Sequence, residues 1–273
     1  TVTDKFGGVG KDTLIVTVKN LPPVVEAGDN QTVNEGGVVS FNGSFTDPGK
    51  LDTHTILWDF GDGTKASGTL NPTHLYGDNG EYTVTLTVTD DDGGVGKDTL
   101  IVTVKNLPPV VEAGDDKTVT IGDIVNFSGS FTDSGWLDSH TAIWNFGDGT
   151  TKSGVVTETN LPPLATGTVS GSHSYSNKGS YTVSLTVTDD DGGIGTATTV
   201  VTVEENLPPI VDAGVDQIVN EGDVVSFNGS FTDDPKDSHT ILWEFGDGST
   251  ASGALNPTYT YGDNGEYTVT LTI

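Results

Sequence analysis

The sequence predicts an all-β protein made of tandem two-sheet β-sandwiches in a linear array. Three observations carry this. A Trp-centred segment recurs as Ile56-Leu57-Trp58-Asp59-Phe60-Gly61-Asp62-Gly63, Ala142-Ile143-Trp144-Asn145-Phe146-Gly147-Asp148-Gly149 and Ile241-Leu242-Trp243-Glu244-Phe245-Gly246-Asp247-Gly248. Recurrence at a fixed period is the signature of repeat architecture. Short Thr/Val-rich runs alternate apolar and polar residues between Gly-rich turns, the period of strands with one buried face. No window sustains an apolar period of 3.6, so helix should be nearly absent.

Taken in order, one copy reads as follows. Val38-Val39-Ser40-Phe41 is a strand run before an expected Gly-Ser turn, and His54 to Phe60 is a central strand around Trp58. Tyr82 to Val88 alternates cleanly, and Leu100-Ile101-Val102-Thr103-Val104 closes the copy. About seven such strands in roughly ninety residues is the pattern of an immunoglobulin-like sandwich, in which a mid-strand Trp is buried. Trp58, Trp144 and Trp243 are therefore the expected core anchors. Tyr82, Tyr181 and Tyr267 join them as expected tyrosine corners, each following an Asp/Asn-x-Gly-x step. Asn-Leu-Pro-Pro at Asn20, Asn106 and Asn206 marks stiff linkers between copies. The boundaries follow: an orphan closing-strand region over 1–19, then sandwiches over 20–105, 106–205 and 206–273. The second copy holds an insertion near 157–169, read as an extended loop or hairpin. The third lacks its last strand.

Trp-Asp-Phe-Gly-Asp-Gly, followed by Gly-x-Tyr-Thr-Val-x-Leu-Thr-Val-Thr-Asp, resembles the signature of the PKD domain family across nearly the whole chain. The resemblance implies immunoglobulin-like sandwiches of the kind found in surface-layer proteins, adhesins and ectodomains, and as accessory modules beside collagenases and chitinases. It also implies a ligand set for calcium: an Asn at the domain start, acids in the loop before the Trp strand, and an acid after the Tyr strand. Matched onto this sequence, the set is Asn20, Asp47, Asp52 and Asp90, then Asn106, Asp133, Asp138 and Asp189. In the third copy it is Asn206, Asp233 and Asp237, with Asp4 of a donor strand as fourth partner. Calcium takes several hard oxygens, which these residues supply. The alternative is that they are turn and cap residues satisfying nearby amides.

The ends of the sequence match each other. Residues 1–18 align with the end of a copy, while Leu271-Thr272-Ile273 aligns with Leu86-Thr87-Val88. A strand as apolar as Leu14, Ile15, Val16 and Val18 is an adhesive edge if left unpaired. Two readings stand. The segment completes the last sandwich of another copy by strand addition, which gives an open head-to-tail assembly. Otherwise the 273 residues are a window of a longer tandem array.

Composition narrows the function. With 39 acidic against 11 basic residues the net charge is −28, which excludes nucleic acid as a partner. There is no Cys, hence no disulfide or thiol chemistry. No run is long and apolar enough to cross a bilayer. Gly61-Asp62-Gly63 follows a strand but precedes neither helix nor Lys, so it reads as a turn and not a phosphate loop. His54, His140 and His239 recur without a second His beside them and read as structural. No nucleophile sits in an elbow, so catalysis is not expected. Asn30, Asn42, Asn126 and Asn228 fit the N-glycosylation pattern. A glycan-binding role would need exposed aromatics, for which Trp136, in a loop of the second copy alone, is the candidate. The expected role is an extracellular or cell-surface filament, surface-layer or adhesin-stalk component whose partners are copies of itself. The alternative is a glycan- or protein-binding accessory module or spacer of a larger secreted protein.

Overall fold

The computed structural model describes residues 1–235 and 237–273 and divides the chain into two compact units, Thr1–Val203 and Glu204–Ile273. All regular structure among the described residues is β.

The first unit contains two complete sandwiches. In the first, a five-stranded sheet runs in the order Gln31–Asn34, Val95–Lys105, Gly80–Asp90, His54–Asp59 and Lys65–Ser67. Gln31–Asn34 lies parallel to the closing strand Val95–Lys105, and the other neighbours are antiparallel. Short pairs, Val24–Glu26 with Ser44–Thr46 and Val38–Ser40 with Thr73–Leu75, complete the fold. The second sandwich repeats the five-stranded order, and its other sheet has four strands: Val110–Glu112, Ile124–Asp133, Leu164–Ser174 and Val155–Leu161. Its insertion is thus a hairpin. Val155–Leu161 pairs with Leu164–Ser174 across the turn Pro162-Pro163 and widens the sheet by one strand.

Alternation along the Tyr strands fills the core. Val84, Leu86 and Val88 point inward with Leu100, Val102 and Val104, and the same pattern returns at Val183, Leu185 and Val187. Trp58, Trp144 and Trp243 are 0% exposed, each at the centre of a separate hydrophobic cluster. Gly43, Gly129 and Gly229 lie under these rings. A Cβ at Gly129 would collide with Leu185 Cδ2, and one at Gly43 would sit 2.8 Å from the Trp58 ring. This corrects the expected Gly-Ser turn. In the second sandwich those residues continue inside the strand Ile124–Asp133, and Gly is needed for close packing rather than reversal.

Each tyrosine corner closes: Tyr82, Tyr181 and Tyr267 donate to the carbonyls of Asp78, Asn177 and Asp263 at 3.0, 2.9 and 3.1 Å. A second set of phenols escapes the sequence reading. Tyr76, Tyr175 and Tyr261 are buried and donate to the carbonyls of Phe60, Phe146 and Phe245 at 2.9, 3.0 and 3.0 Å. Their signal is the fixed position two residues before each corner carbonyl. The Gly-Asp-Gly segments are turns. Asp62 and Asp148 accept from the N–H and Oγ1 of Thr64 and Thr150, and each pairs with a His, His74 or His173, at 2.6 Å. Tyr259 replaces that His in the third copy and donates to Asp247 at 2.6 Å.

The second unit holds Ile210–Asp212 paired with Ser230–Thr232, Val224–Ser226 paired with Thr258–Thr260, and a sheet ordered Thr250–Ser252, Leu242–Glu244, Thr270–Thr272. Residues 217–220, aligned with the parallel strand Gln31–Asn34, form no strand here, because the closing strand they would pair with is not in the unit. Val219 is exposed in consequence, whereas the aligned Val33 packs against its core. In the first unit, Val2–Thr3 and Val9–Gly10 make a small hairpin, while the expected strand over Leu14, Ile15, Val16 and Val18 does not form: these side chains are 81, 92, 73 and 87% exposed. A strand needs a neighbour for its amides and carbonyls, and this segment has none among the described residues.

Candidate metal centre between the first two sandwiches

The ends of the Tyr strands and the loops before the Trp strands meet at one pole of each sandwich. In the first, Asn20 Nδ2 donates to Asp90 at 2.9 Å, Asp90 accepts the Gly94 N–H at 2.7 Å, and Asp47 accepts the Gly49 N–H at 2.8 Å. One carboxylate oxygen each of Asp47, Asp52 and Asp90 lies within 4.8 Å of the others. The His54 and Gly49 hydrogen bonds hold Asp47 below the usual carboxylate range, and that of Asn20 does so for Asp90. Asp52 is pushed up by loss of solvent and by neighbouring carboxylates.

The second sandwich builds the same pole and buries it. Asn106 Nδ2 donates to Asp189 at 3.2 Å, and Asp133 accepts the Gly135 N–H at 2.9 Å. His140 packs its Nε2 against Asp133 at 3.1 Å and its Nδ1 against Glu158 at 2.8 Å. Glu158 belongs to the inserted hairpin, as does Asn160, which donates to the Asp138 carbonyl at 2.8 Å. The insertion therefore braces this pole from outside. Burial opposes a charge on His140, but the hydrogen bonds with Asp133 and Glu158 raise it above its ordinary value. The aspartates that orient these rings are Asp47, Asp133 and, in the third copy, Asp233, which is 2.8 Å from His239.

A residue that the sequence reading did not select completes this pole. Glu35, on the turn after Gln31–Asn34 of the first sandwich, is 2% exposed and brings a carboxylate oxygen within 4.8 Å of oxygens of Asp133 and Asp138. Its Oε1 accepts the Leu107 N–H at 2.7 Å. Four buried oxygens have no hydrogen-bond partner: Glu35 Oε2, Asn106 Oδ1 and both carboxylate oxygens of Asp138. A buried charge without a partner is costly, and the carboxyls respond by holding protons. Burial, with Glu35 and Asp133 adding repulsion, pushes Asp138 up to about 8. Burial likewise carries Glu35 up to about 7 against the pull of the Leu107 amide. Asp78 of the first sandwich stands within the same distance of Asp138 and Asp191, and burial followed by Asp191 raises it too. Carboxylates that crowd this closely, with both Asp138 oxygens and one Glu35 oxygen buried and accepting no hydrogen bond, suit a hard divalent cation coordinated at about 2.3–2.6 Å.

The other candidates fall as follows. Asn206, Asp233 and Asp237 line one cavity in the second unit. Asp4 lies in the N-terminal hairpin, where its carboxylate accepts the N–H groups of Phe6 and Gly8, each at 2.8 Å. Asn30, Asn42, Asn126 and Asn228 are exposed, and Asn30 accepts the Ile101 N–H at 2.8 Å. Trp136 corrects an expectation. It is only 9% exposed, because its ring seats on Gly77 of the first sandwich, where an added Cβ would collide with Trp136 Cε2. Its neighbour Leu137 donates its N–H to the Gly77 carbonyl at 3.1 Å.

Fold and site together define a row of immunoglobulin-like sandwiches whose poles concentrate carboxylates. The PKD domain model matches residues 20–104, 106–203 and 206–273, and the chain belongs to that family. It is 33% identical over 176 residues to the mouse Dyslexia-associated protein KIAA0319-like protein, covering 60% of this chain and 16% of that one. It is 42% identical over 87 residues to Collagenase ColA of Bacillus cereus, covering 32% of this chain and 9% of the collagenase. The crystal structure of the PKD1 domain of Vibrio anguillarum Epp is 32% identical, with a TM-score of 0.28, over 32% of this chain and 98% of that one. The chain thus spans less than a fifth of the length of the mouse protein and of the collagenase, and its modules are of a kind carried by much longer proteins. No helix among the described residues is long and apolar enough to cross a membrane.

Proposed function

We propose that the chain is an extracellular spacer, a non-catalytic row of PKD sandwiches within a larger secreted or cell-surface protein, held in its working shape by calcium. The observation that carries this is the set of four buried, unpartnered oxygens on Glu35, Asn106 and Asp138. The Nε1 groups of Trp58, Trp144 and Trp243 are also buried without a partner. A carboxylate oxygen left so costs far more than a neutral donor, which favours a partner from outside the chain. The net charge of −28 favours cation uptake and keeps neighbouring copies apart in its absence. Asp133 and Asp189 would complete the shell, and backbone amides already fix both. Asp133 accepts the Gly135 N–H, while Asp189 Oδ1 accepts the N–H groups of Asp191 and Gly193 at 3.1 and 2.7 Å. The second Asp189 oxygen is thereby aimed at Asn106.

Titration calorimetry of the cation-free chain with calcium chloride tests the reading. Heat of binding and a rise in Tm of several degrees are expected. The rise follows because a ligand held only by the native state stabilises it by about 2.7 kcal/mol at a hundredfold excess over Kd. The absence of both heat and a Tm change at millimolar calcium would overturn the reading.

A filament reading is favoured by a separate observation. Leu100, Val102 and Val104 of the first sandwich point into its core, and the aligned Leu14, Val16 and Val18 are exposed in this chain. In the second unit the Tyr-strand segment lacks the neighbour that Val95–Lys105 gives to Gly80–Asp90. A polypeptide of these 273 residues can pair the first segment of one copy with that open edge of the next, which yields an open head-to-tail chain. Electron microscopy and sedimentation of the polypeptide should show linear oligomers, and Val16→Asp should return them to monomers. Monomers at every concentration for the unsubstituted polypeptide would refute strand exchange. Trp136, the aromatic that the sequence offers to a glycan, is used within the first unit, so no observation favours glycan binding.

A further inference from the structure

We infer that the junction of the first two sandwiches is a cation-gated clamp: Glu35 of the first sandwich completes a divalent-cation site whose other oxygens come from Asn106, Asp133, Asp138 and Asp189 of the second. This rests on the calcium reading above and goes beyond it, since a site confined to one sandwich would stiffen that sandwich alone.

Three features of the structure support the clamp. First, Glu35 is anchored in its own sandwich before any cation arrives. Its N–H donates to the Lys105 carbonyl at 3.0 Å, and the following Gly36 N–H donates to the Tyr76 carbonyl at 3.1 Å. The carboxylate is thus presented by rigid backbone, with Oε1 on the Leu107 amide and Oε2 buried and unpartnered. Second, the two sandwiches approach too closely here for a solvated pair of acidic surfaces. Trp136 seats on Gly77, the Leu137 N–H reaches the Gly77 carbonyl, and a Cβ on Gly36 would stand 3.1 Å from Ser134 Cβ. Third, both sides bring negative charge to this contact: Glu35 and Asp78 from one, Asp133, Asp138 and Asp191 from the other. Without a cation these groups either repel across the contact or must hold protons to avoid it; with one, they share ligation.

The clamp as a whole is not repeated along the chain, although Glu221 of the third copy is aligned with Glu35. Ile121 stands at the position aligned with Glu35 in the second copy, and Lys50 and Lys236 stand where the second copy has Trp136. Asn, Asp, Asp and Asp recur in the first copy, but Glu35 and Trp136 occur together only around this junction. The pair therefore encodes one stiff joint in a chain of otherwise similar modules.

The absence of Cys makes the test direct. Ser67→Cys and Ser153→Cys place spin labels at exposed, aligned positions on the two sandwiches of the full chain. Electron double resonance should give one narrow distance distribution in calcium and a broad one in EGTA. Glu35→Gln should leave the distribution broad in both, and weaken calcium binding at this site about tenfold, equivalent to about 1.4 kcal/mol. Gly77→Ala, which displaces the Trp136 ring but keeps every ligand, should broaden it as well. A narrow distribution in calcium for Glu35→Gln would overturn the clamp while leaving the calcium site intact. Calorimetry that detects no calcium binding to the unsubstituted chain would overturn both.

Discussion

Trp144→Ala should unfold the second sandwich at a temperature at which the first remains native. Trp144 is fully buried and touches Phe127 with ring centroids 5.2 Å apart, and Gly129 and Gly171 press on its indole from the facing strands. Those glycines leave no side chain that could collapse into the space of the lost ring. Truncation of a buried aromatic costs about 3–5 kcal/mol, at the upper end where the site cannot relax. That is a large part of the roughly 5–15 kcal/mol that holds a typical domain together. The three hydrophobic clusters share no residue, so the loss should stay local. Differential scanning calorimetry should show one transition moved to low temperature or absent, with the enthalpy of the others retained. Trp58→Ala should do the same to the first sandwich. A single cooperative shift of the whole profile would show that the sandwiches fold as one body and would refute their independence.

The fold was legible because its determinants are local and repeated. Period-two alternation over Tyr82–Val88, the mid-strand Trp and the corner Tyr each constrain one strand, and three copies allow accidental patterns to be discounted. The errors came where a residue's role depends on what lies across from it. Gly129 looks like a turn residue in Asn-Phe-Ser-Gly-Ser, yet it sits in a strand because Leu185 occupies the space above it. Trp136 reads as an exposed loop aromatic until Gly77 of another sandwich supplies its seat. Of the candidate site, Asn106, Asp133, Asp138 and Asp189 were named through family resemblance, and the structure gathers them at one pole. Glu35 was missed. In Asn34-Glu35-Gly36 it has the appearance of an ordinary turn acid, and nothing local marks it. The available signal was comparative: among three otherwise similar copies, the second carries Ile121 in its place and alone carries Trp136.

Asp138→Asn should change stability in opposite directions with and without calcium. Both Asp138 oxygens are buried and accept no hydrogen bond, so an amide of the same shape forfeits none, and the backbone contacts to Gly135 and Asn160 remain. In EGTA the substitution removes a carboxyl whose ionisation the native state resists. The sign follows from linkage. Burial and neighbouring carboxylates raise the native carboxyl to about 8, well above its unfolded value, so the native state binds more protons between the two. The stability this group contributes is complete below about pH 4 and is lost as the pH climbs through about 8. The cation-free chain should therefore melt at a lower temperature at about pH 8 than at about pH 5.5, and Asp138→Asn should flatten that slope. At the higher pH a gain of at least about 1 kcal/mol is expected, a Tm rise of about 4–8 °C for a domain of this size. In excess calcium the order reverses, because the unsubstituted chain gains ligation energy that the amide largely gives up. Thermal melts of both proteins at two pH values, each in EGTA and in calcium, suffice. A variant less stable than its parent in all four conditions would mean that Asp138 supports the loop directly, and that the crowded carboxylates hold no cation.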